Sequence, residues 1–477
     1  MIFKIKIVLV YIVLSGLTYS ASAQNIFSWE KWLGDTNTYE SGHSVKQFPD
    51  GSIYILGHGA DTLNNALTTL TKLDSLGNVL WLKRYGNVLG NPIGAEHLII
   101  TKDNKLVTVG VIYQQNGDSD YLLSKLDTSG VIIWQNLKGN THRTEFLMNV
   151  EQTADFGYIA CGYISQPDLL GNDIFVVKYN VLGDVEWTKQ YGGTLNDVGN
   201  AVHQSADGNY VIAGETKQTN IDNYLIKLDA SGTKIWDLVI GDNNENGNLG
   251  FIINTDGDFI LVGESTTVAN PYFDIYLVKV SAAGLLLWTK YIGGQGTDAG
   301  FSIVQNSTKE YIITGYSNSY DNTKQIKVMV CKTDSLGNEI YTNYYGADNI
   351  NIGYEIIPST TGGCLIVGFS LIANDNQTYL LKINEDAVTS VERYENAANQ
   401  TLTISPNPSS KELNIGSDSF IYSYTIFNAQ GNKISEDSKA TSLKKIEIDI
   451  SSFSEGLYFI NVYSEKGLSV GKFIKVN

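Results

Sequence analysis

Short apolar runs broken by tight polar turns fill most of this chain, and one frame recurs. Lys125-Leu-Asp-Thr-Ser-Gly-Val-Ile-Ile-Trp134 shows it, with Tyr121-Leu-Leu leading in and Val131-Ile-Ile leading out. Apolar, β-branched flanks on both sides of a polar turn predict the two strands of a hairpin. Lys72 to Trp81, Lys178 to Trp187, Lys227 to Trp236 and Lys279 to Trp288 repeat the frame, and Lys332 to Tyr341 repeats it with tyrosine in place of tryptophan. Asp or Asn usually opens the turn, because its side chain can accept a hydrogen bond from the backbone two residues on. A glycine closes it (Gly77, Gly130, Gly183, Gly232, Gly284, Gly337), which predicts a positive φ at those positions.

The tryptophans stand at 29, 81, 134, 187, 236 and 288, with Tyr341 in step, and the lysines at 72, 125, 178, 227, 279, 332 and 382. An interval of about 50 residues is that of a four-stranded propeller blade. Within a unit the tryptophan strand runs into glycine, as at Tyr191-Gly-Gly193, and a strand such as Asn200-Ala-Val-His-Gln204 follows. A turn such as Asp207-Gly208 then leads to a strand ending in glycine, Tyr210-Val-Ile-Ala-Gly214. The lysine strand completes four strands per unit, and the array holds seven units. No helical periodicity intervenes, which argues against crossover helices and a parallel sheet. A linear β-solenoid is the rival repeat architecture, but its coils are shorter than this unit. The ends of the array favour a ring. Trp29 has no lysine strand before it, and Lys382 has no tryptophan strand after it. Pairing the two leaves neither edge open. The expected fold class is all-β, with a seven-bladed β-propeller of four-stranded blades over residues 24–387.

Composition agrees. Among 477 residues, 46 glycines and 29 tyrosines against 7 prolines suit many short strands joined by tight turns. The 50 acidic and 33 basic residues give a net charge of -17. No dense Lys/Arg stripe breaks the acidity, which argues against a nucleic-acid partner. The three cysteines, Cys161, Cys331 and Cys364, sit in apolar strand contexts without a CxxC pair. They read as buried small hydrophobes, with one disulfide between two of them as the alternative.

Residues 1–23 read as a secretory signal peptide. Lys4 and Lys6 precede the apolar Ile7-Val-Leu-Val-Tyr-Ile-Val-Leu14, and Ala21-Ser-Ala23 offers a cleavage site. A membrane anchor is the alternative, but the run falls short of the about 20 residues that span a bilayer. No later segment has a spanning run, so the mature chain is expected to lack a transmembrane segment. Residues 388–400 are polar and read as a linker. Over residues 401–477, seven short strands are predicted at 402–404, 413–415, 423–427, 433–434, 445–450, 456–463 and 468–476, the make-up of a small sandwich.

This tail carries Ser405-Pro-Asn-Pro408, Leu413-Asn-Ile415, Ile426-Phe-Asn-Ala-Gln-Gly431, Ser454-Glu-Gly-Leu-Tyr-Phe459 and Lys472-Phe-Ile-Lys475, in that order. It resembles the type A C-terminal sorting domain of the type IX secretion system. On that resemblance the sorting signal includes Pro406, Asn407, Pro408, Gly431, Gly456, Tyr458, Lys472 and Lys475. The resemblance implies an immunoglobulin-like sandwich, and the secretion machinery and its sortase-like peptidase as partners. It also implies export across the outer membrane of a Gram-negative bacterium, then release or attachment to surface lipopolysaccharide. The repeat region is similar, more loosely, to the propeller arrays such cargo proteins carry, which speaks to architecture and not activity.

Linear catalytic motifs are missing: there is no GxSxG, HExxH, phosphate loop or dinucleotide fingerprint. The five histidines, His43, His58, His97, His142 and His203, show no paired spacing that suggests a metal site. The tryptophan column reads as packing between blades, with a sugar-stacking platform as the alternative. The lysine column reads as stems lying over a blade with their ammonium groups near Asp74, Asp127 and Asp229. No cofactor is indicated, though calcium could find oxygen ligands in Asn116-Gly-Asp-Ser-Asp120 or Asp242-Asn-Asn-Glu-Asn-Gly247. Neither loop has the full spacing of a calcium loop.

One polar column stands out when the units are aligned on Gly57, Gly110, Gly162, Gly214, Gly263, Gly315 and Gly368. It holds Glu40, Ile93, Glu145, Asp197, Asn246, Asp298 and Asn351. In a closed ring these form a circle at one channel mouth, a candidate ligand-binding or cation-holding rim. The competing reading is that each caps its own loop. Three functions are compatible with all this. The leading one is a secreted or surface binding module for a glycan or protein. A polysaccharide-degrading enzyme, hydrolase or lyase, is the second, and a structural surface component the third. Nearly uniform blade lengths favour binding over catalysis.

Overall fold

The computed structural model describes residues 29–384 and 402–476, apart from short segments at 35–38, 61–65, 87–92, 115–117, 140–142, 166–170, 218, 242–243, 267–271, 321–324, 348–349, 373–374, 429–432, 438–442 and 465–466. The predicted leader and linker, His142, Gly431 and part of each candidate calcium loop lie outside the described residues. The chain divides into two compact units, Met1–Ser390 and Val391–Asn477.

Seven four-stranded antiparallel sheets make up the first unit. Blade 1 consists, from the innermost strand outwards, of Glu40–Gln47, Ile53–Ala60, Ala66–Leu73 and Val79–Tyr85. Blades 2 to 6 repeat this order from innermost strands Ile93–Ile100, Glu145–Gln152, Asp197–Gln204, Asn246–Ile253 and Asp298–Gln305. Blade 7 joins Ile350–Pro358, Cys364–Ile372 and Asp375–Ile383 to an outer strand, Trp29–Leu33. Trp29 lies opposite Lys382, as Trp134 lies opposite Lys125 within blade 2. Innermost strands pack on one another from blade to blade, and that of blade 7 packs on that of blade 1. The unit is a closed seven-bladed propeller, with the closure the two unmatched ends predict.

The core sits between blades. Ile159, Cys161 and Val176 of blade 3 pack with Val202, Ile212 and Leu228 of blade 4, and each of these is fully buried. Each such valine, leucine or isoleucine contributes about 1.5–3 kcal/mol. All three cysteines are buried, free thiols. The six tryptophans of the column each lie against the hairpin glycine of the following blade. An added Cβ would fall 2.6 Å from Trp29 at Gly77, 2.5 Å from Trp134 at Gly183 and 2.8 Å from Trp288 at Gly337. Those glycines have φ of 74°, 85° and 77°, so two independent constraints select glycine there. The Trp29 contact joins blade 7 to blade 1.

The lysines depart from expectation. Asp74, Asp127 and Asp229 accept bonds from the amides of their own turns, at Leu76 and Asn78, Ser129 and Val131, and Ser231 and Thr233. The ammonium groups instead reach the other turn of the blade, between its first and second strands. Lys125 meets Asp103 at 2.8 Å, Lys178 meets Asp155 at 2.9 Å, Lys227 meets Asp207 at 2.7 Å and Lys332 meets Glu310 at 2.6 Å. Asp155 and Asp207 also accept from amides of their own turns, at Gly157 and Asn209, so local bonding does not choose the partner; the path of the lysine stem over its blade does.

The second unit is a small β-domain. Its core is Leu413, Ile415, Ile421, Ile426, Ile448, Ile450, Tyr458, Ile460, Val462 and Phe473. Two of the predicted strands are one: Glu412–Asn428 runs on as a single long strand. Its first half pairs with Thr403–Ser405 and Leu443–Asp449, its second with Lys433–Asp437 and Gly456–Ser464. The register shifts between Gly416 and Ile421, so a polar stretch that reads as a turn is spent on crossing between partners.

Candidate functional site

Every innermost strand carries a β-bulge at the same place. The bulged residues are His43, Glu96, Met148, Asn200, Leu249, Phe301 and Tyr354. Opposite each bulge, the glycine of the second strand leaves room for the shifted backbone. A Cβ at Gly214 would sit 1.9 Å from the Val198 carbonyl oxygen, and one at Gly368 1.8 Å from that of Ile352. A bulge re-aims the side chain it carries. Here the bulged residues of neighbouring blades meet. His43 stacks on Tyr354 with ring centres 5.1 Å apart, and Tyr354 stacks on Phe301 at 5.7 Å with planes 10° apart.

The residue after each glycine joins this band: His58, Val111, Tyr163, Glu215, Glu264, Tyr316 and Phe369. All of the band is half-buried except Val111, which is buried. It has three sectors. Blades 1 and 2 supply His43, His58 and Glu96. Blades 6 and 7 supply an aromatic arc, where Phe369 stacks on Tyr354 at 6.0 Å and Tyr316 meets Phe301 edge-on at 5.6 Å. Blades 4 and 5 supply Glu215 and Glu264. Phe146 stacked on Tyr163 at 5.3 Å, in blade 3, separates the histidine sector from the acidic one.

In the histidine sector, His58 Nε2 is 3.3 Å from Glu96 Oε1 and His43 Nδ1 is 3.7 Å from Glu96 Oε2. The imidazole centres are 4.1 Å apart. Burial and the neighbouring His58 push His43 down to about 4. Burial is again the largest single effect on His58 and lowers it, but the bond to Glu96, the charge of Glu96 and the Ala95 carbonyl together outweigh it and raise that group. Among the described residues this is the one cluster of three whose ligand atoms could share a metal ion.

Glu215 is raised from an ordinary 4.5 to about 7, first by burial and then by Glu264 and Glu245, against an opposing bond from the Asn248 amide. A carboxyl raised in the folded state binds its proton more tightly there than in the unfolded chain. Its contribution is intact below about pH 4.5 and is lost as pH rises through 7. Glu215→Gln stays neutral throughout. The variant is expected to gain about 1–3 kcal/mol above pH 7, and its stability should fall less between pH 5 and 8. Urea unfolding at a series of pH values measures this, and parallel curves for the two proteins would show Glu215 ionising normally.

The predicted polar circle lies three residues before the bulges. Glu40, Glu145, Asp197, Asn246, Asp298 and Asn351 are all buried, with exposure of 5% or less. Most of them make local bonds, while the buried Asp197 Oδ1 accepts none. Asp197 accepts from the Gly193 amide at 2.7 Å, and Asp298 from the Gly294 amide at 2.9 Å and the Ser319 hydroxyl at 2.6 Å. Asn246 and Asn351 accept from Ser265 and Ser370, each at 2.7 Å, and Glu40 pairs with Arg84. A ligand reaching this circle would have to displace those bonds.

Later residues of the innermost strands carry a half-buried charge network. Glu355 takes bonds from Lys46, the Ser44 hydroxyl and the Val45 amide, and faces His97 at 3.5 Å. Burial opposes its ionisation, yet Lys46 and His97 hold it down at about 2. His203 bridges Glu151 and the Phe251 carbonyl. These groups tie blades 7, 1 and 2, and blades 3, 4 and 5. A mainly apolar cavity of about 220 Å³ lies away from the band, between blades 1 and 2, beside Leu56, Leu70, Arg84 and Ile93.

The tail motif residues converge in space. The Asn407 amide donates to the Lys472 carbonyl at 3.0 Å and accepts from the Ile474 amide at 2.9 Å. Gly456 pairs with Lys475 and Tyr458 with Phe473. The Tyr458 ring stacks on Phe473 at 5.3 Å. Pro406 and Pro408 flank Asn407 on an exposed turn.

Residues 403–476 match the family described as the secretion system C-terminal sorting domain. The chain is a type IX secretion cargo, exported to the cell surface or secreted, and its tail engages the type IX machinery. No curated protein matches the chain. Solved structures give distant likenesses. A protein of unknown function from Dyadobacter fermentans is 11% identical with a TM-score of 0.44, over 74% of this chain and 98% of that one. Sqt1 from Chaetomium thermophilum is 11% identical with a TM-score of 0.43, over 92% and 97%. PorZ of Porphyromonas gingivalis, an essential bacterial surface component of the type IX secretion system, is 8% identical with a TM-score of 0.24, over 91% and 81%. Likeness at this distance says nothing about activity. No helix among the described residues is long and apolar enough to cross a membrane.

Proposed function

We propose that this exported protein is a non-enzymatic binding module that takes a glycan at its channel mouth. The supporting observation is the aromatic arc. Tyr354, Phe301 and Phe369 are half-buried with ring planes within 10° and 21° of one another. Such an aromatic wall suits the apolar side of a sugar ring, and Glu215, Glu264 and Asn200, of blades 4 and 5 in the same band, supply acceptors and donors for its hydroxyls. In this reading export crosses the outer membrane of a Gram-negative cell, and a sortase-like peptidase removes the sorting domain before release or attachment to lipopolysaccharide.

The test is a glycan array on the full chain, followed by titration of any binder against Tyr354→Ala. Truncating one well-packed aromatic at a binding centre costs about 2 kcal/mol, roughly 30-fold in Kd. Binding that survives Tyr354→Ala, or a chain that captures only proteins, would sink the glycan reading. A second reading, a polysaccharide-degrading enzyme, draws on the raised Glu215 beside Glu264, since glycoside cleavage needs two carboxyl groups in different protonation states. Release of reducing ends from a bound glycan, abolished by Glu215→Gln, would replace the first reading with this one.

A further inference from the structure

The geometry points to a divalent transition-metal site, of zinc class, built by His43, His58 and Glu96 at the channel mouth. The three residues come from three strands of two blades: the innermost and second strands of blade 1, and the innermost strand of blade 2. Their donor atoms lie within 4.8 Å of one another. Zinc holds its nitrogen and oxygen ligands at about 2.0–2.2 Å, so an ion draws the three somewhat closer than they stand. Half-buried side chains on rigid strands can make that adjustment by small rotations.

The surroundings orient the ligands. The Ser41 hydroxyl bonds His43 Nε2 at 3.0 Å, which leaves Nδ1 as the atom facing Glu96. A metal-binding imidazole is commonly held this way through its other nitrogen. Tyr354 covers the His43 ring face and limits its rotation. Two imidazoles and one carboxylate suit zinc and its neighbours, whereas calcium and magnesium call for an oxygen shell this cluster lacks. Nothing in the repeat requires these residues. At the same two places the other blades carry Met148 and Tyr163, Asn200 and Glu215, Leu249 and Glu264, Phe301 and Tyr316, or Tyr354 and Phe369. Three protein ligands leave a tetrahedral ion one open position, and the half-buried site turns it to the channel. The assignment stands apart from the glycan reading.

The experiment uses the full chain, stripped with chelator and titrated with zinc chloride by calorimetry and with cobalt chloride by visible absorption. One equivalent of zinc should bind, and cobalt should develop the d–d bands of a four-coordinate ion. Ser41→Ala should weaken zinc binding by about 10–100-fold, the usual cost of an outer hydrogen-bond partner. Glu96→Gln and His58→Asn should cost more, and His203→Gln should change nothing. Thermal unfolding without metal checks that each variant is folded. Absence of the cobalt bands in the wild-type chain overturns the site, and so does zinc binding that persists in the Glu96→Gln, His58→Asn double variant. Calcium binding as tightly as zinc at these residues overturns the choice of metal. If the ligand variants do not fold, the wild-type spectrum and Ser41→Ala still decide.

Discussion

A chain lacking residues 401–477 should accumulate in the periplasm of a host with the matching secretion system, while the full chain reaches the surface or the medium. The tail supplies the address, and the structure explains why it behaves as one unit. Its motif residues are dispersed over more than half of the domain's sequence, yet Asn407 clips the last strand through Lys472 and Ile474, and Gly456 and Tyr458 begin the strand paired with it. Truncation removes the whole assembly, so the effect should approach all or none. Asn407→Ala should act through the same place more weakly, since it removes two hydrogen bonds of about 1 kcal/mol each. Cell fractionation and immunoblotting give the readout. Truncated protein appearing outside the cell in normal amount would show that the export signal lies elsewhere.

Deleting Trp29–Leu33 should open the ring. This strand pairs along its length with Thr378–Lys382 and forms the outer edge of blade 7. Trp29 lies over the turn glycine Gly77 of blade 1, Trp32 packs on Tyr379 at 5.6 Å, and Glu30 accepts a bond from the Tyr379 hydroxyl at 2.8 Å. Truncating a packed tryptophan costs about 3–5 kcal/mol when fully buried. These two are half-buried, so each belongs at or below the low end of that range. Two of them and a strand of ladder bonds together approach the about 5–15 kcal/mol that a domain has in total. The deletion also exposes the Asp375–Ile383 strand as an open edge. Calorimetry of the full and shortened chains should show the propeller transition moved down by many degrees or lost, with aggregation on heating. A transition at the same temperature would mean that the ring closes without this strand. Gln47 is a second clasp between the same two blades, accepting from the Thr360 amide at 2.8 Å, and it should slow the opening without preventing it.

The fold was legible because its rules are local and repeated. Apolar runs, Asp or Asn turn openers and glycines with positive φ act over a few residues, and seven copies make each signal plain. Ring closure followed from counting, since one tryptophan strand and one lysine strand lacked partners and unpaired edges are costly. The packing role of the tryptophans was legible for the same reason: an aromatic residue kept in every unit answers to a constraint every unit shares. The polar circle from Glu40 to Asn351 is buried too, bonded within its own blades: Asp197 accepts from the Gly193 amide of its loop and Asn351 from Ser370 of the second strand. The lysine partners were not legible, because a long stem can reach either turn of its blade and only packing chooses. Nor was the long strand Glu412–Asn428, whose polar middle looks like a turn until a second set of partners extends it.

The channel-mouth band was hidden for the opposite reason. His43, His58, Glu96, Phe301 and Tyr354 share no spacing along the chain, and they meet because bulges in separate blades turn them to one axis. The usable signal was variation in a repeat: at the bulge and after the glycine the fold asks only for a side chain that tolerates the channel. The sequence by itself determined the blades, their number, their closure and the export tag, all set by near-neighbour chemistry. Only the tertiary structure decided which unlike residues would stand together, because seven-fold closure sets that distance and no local interaction does.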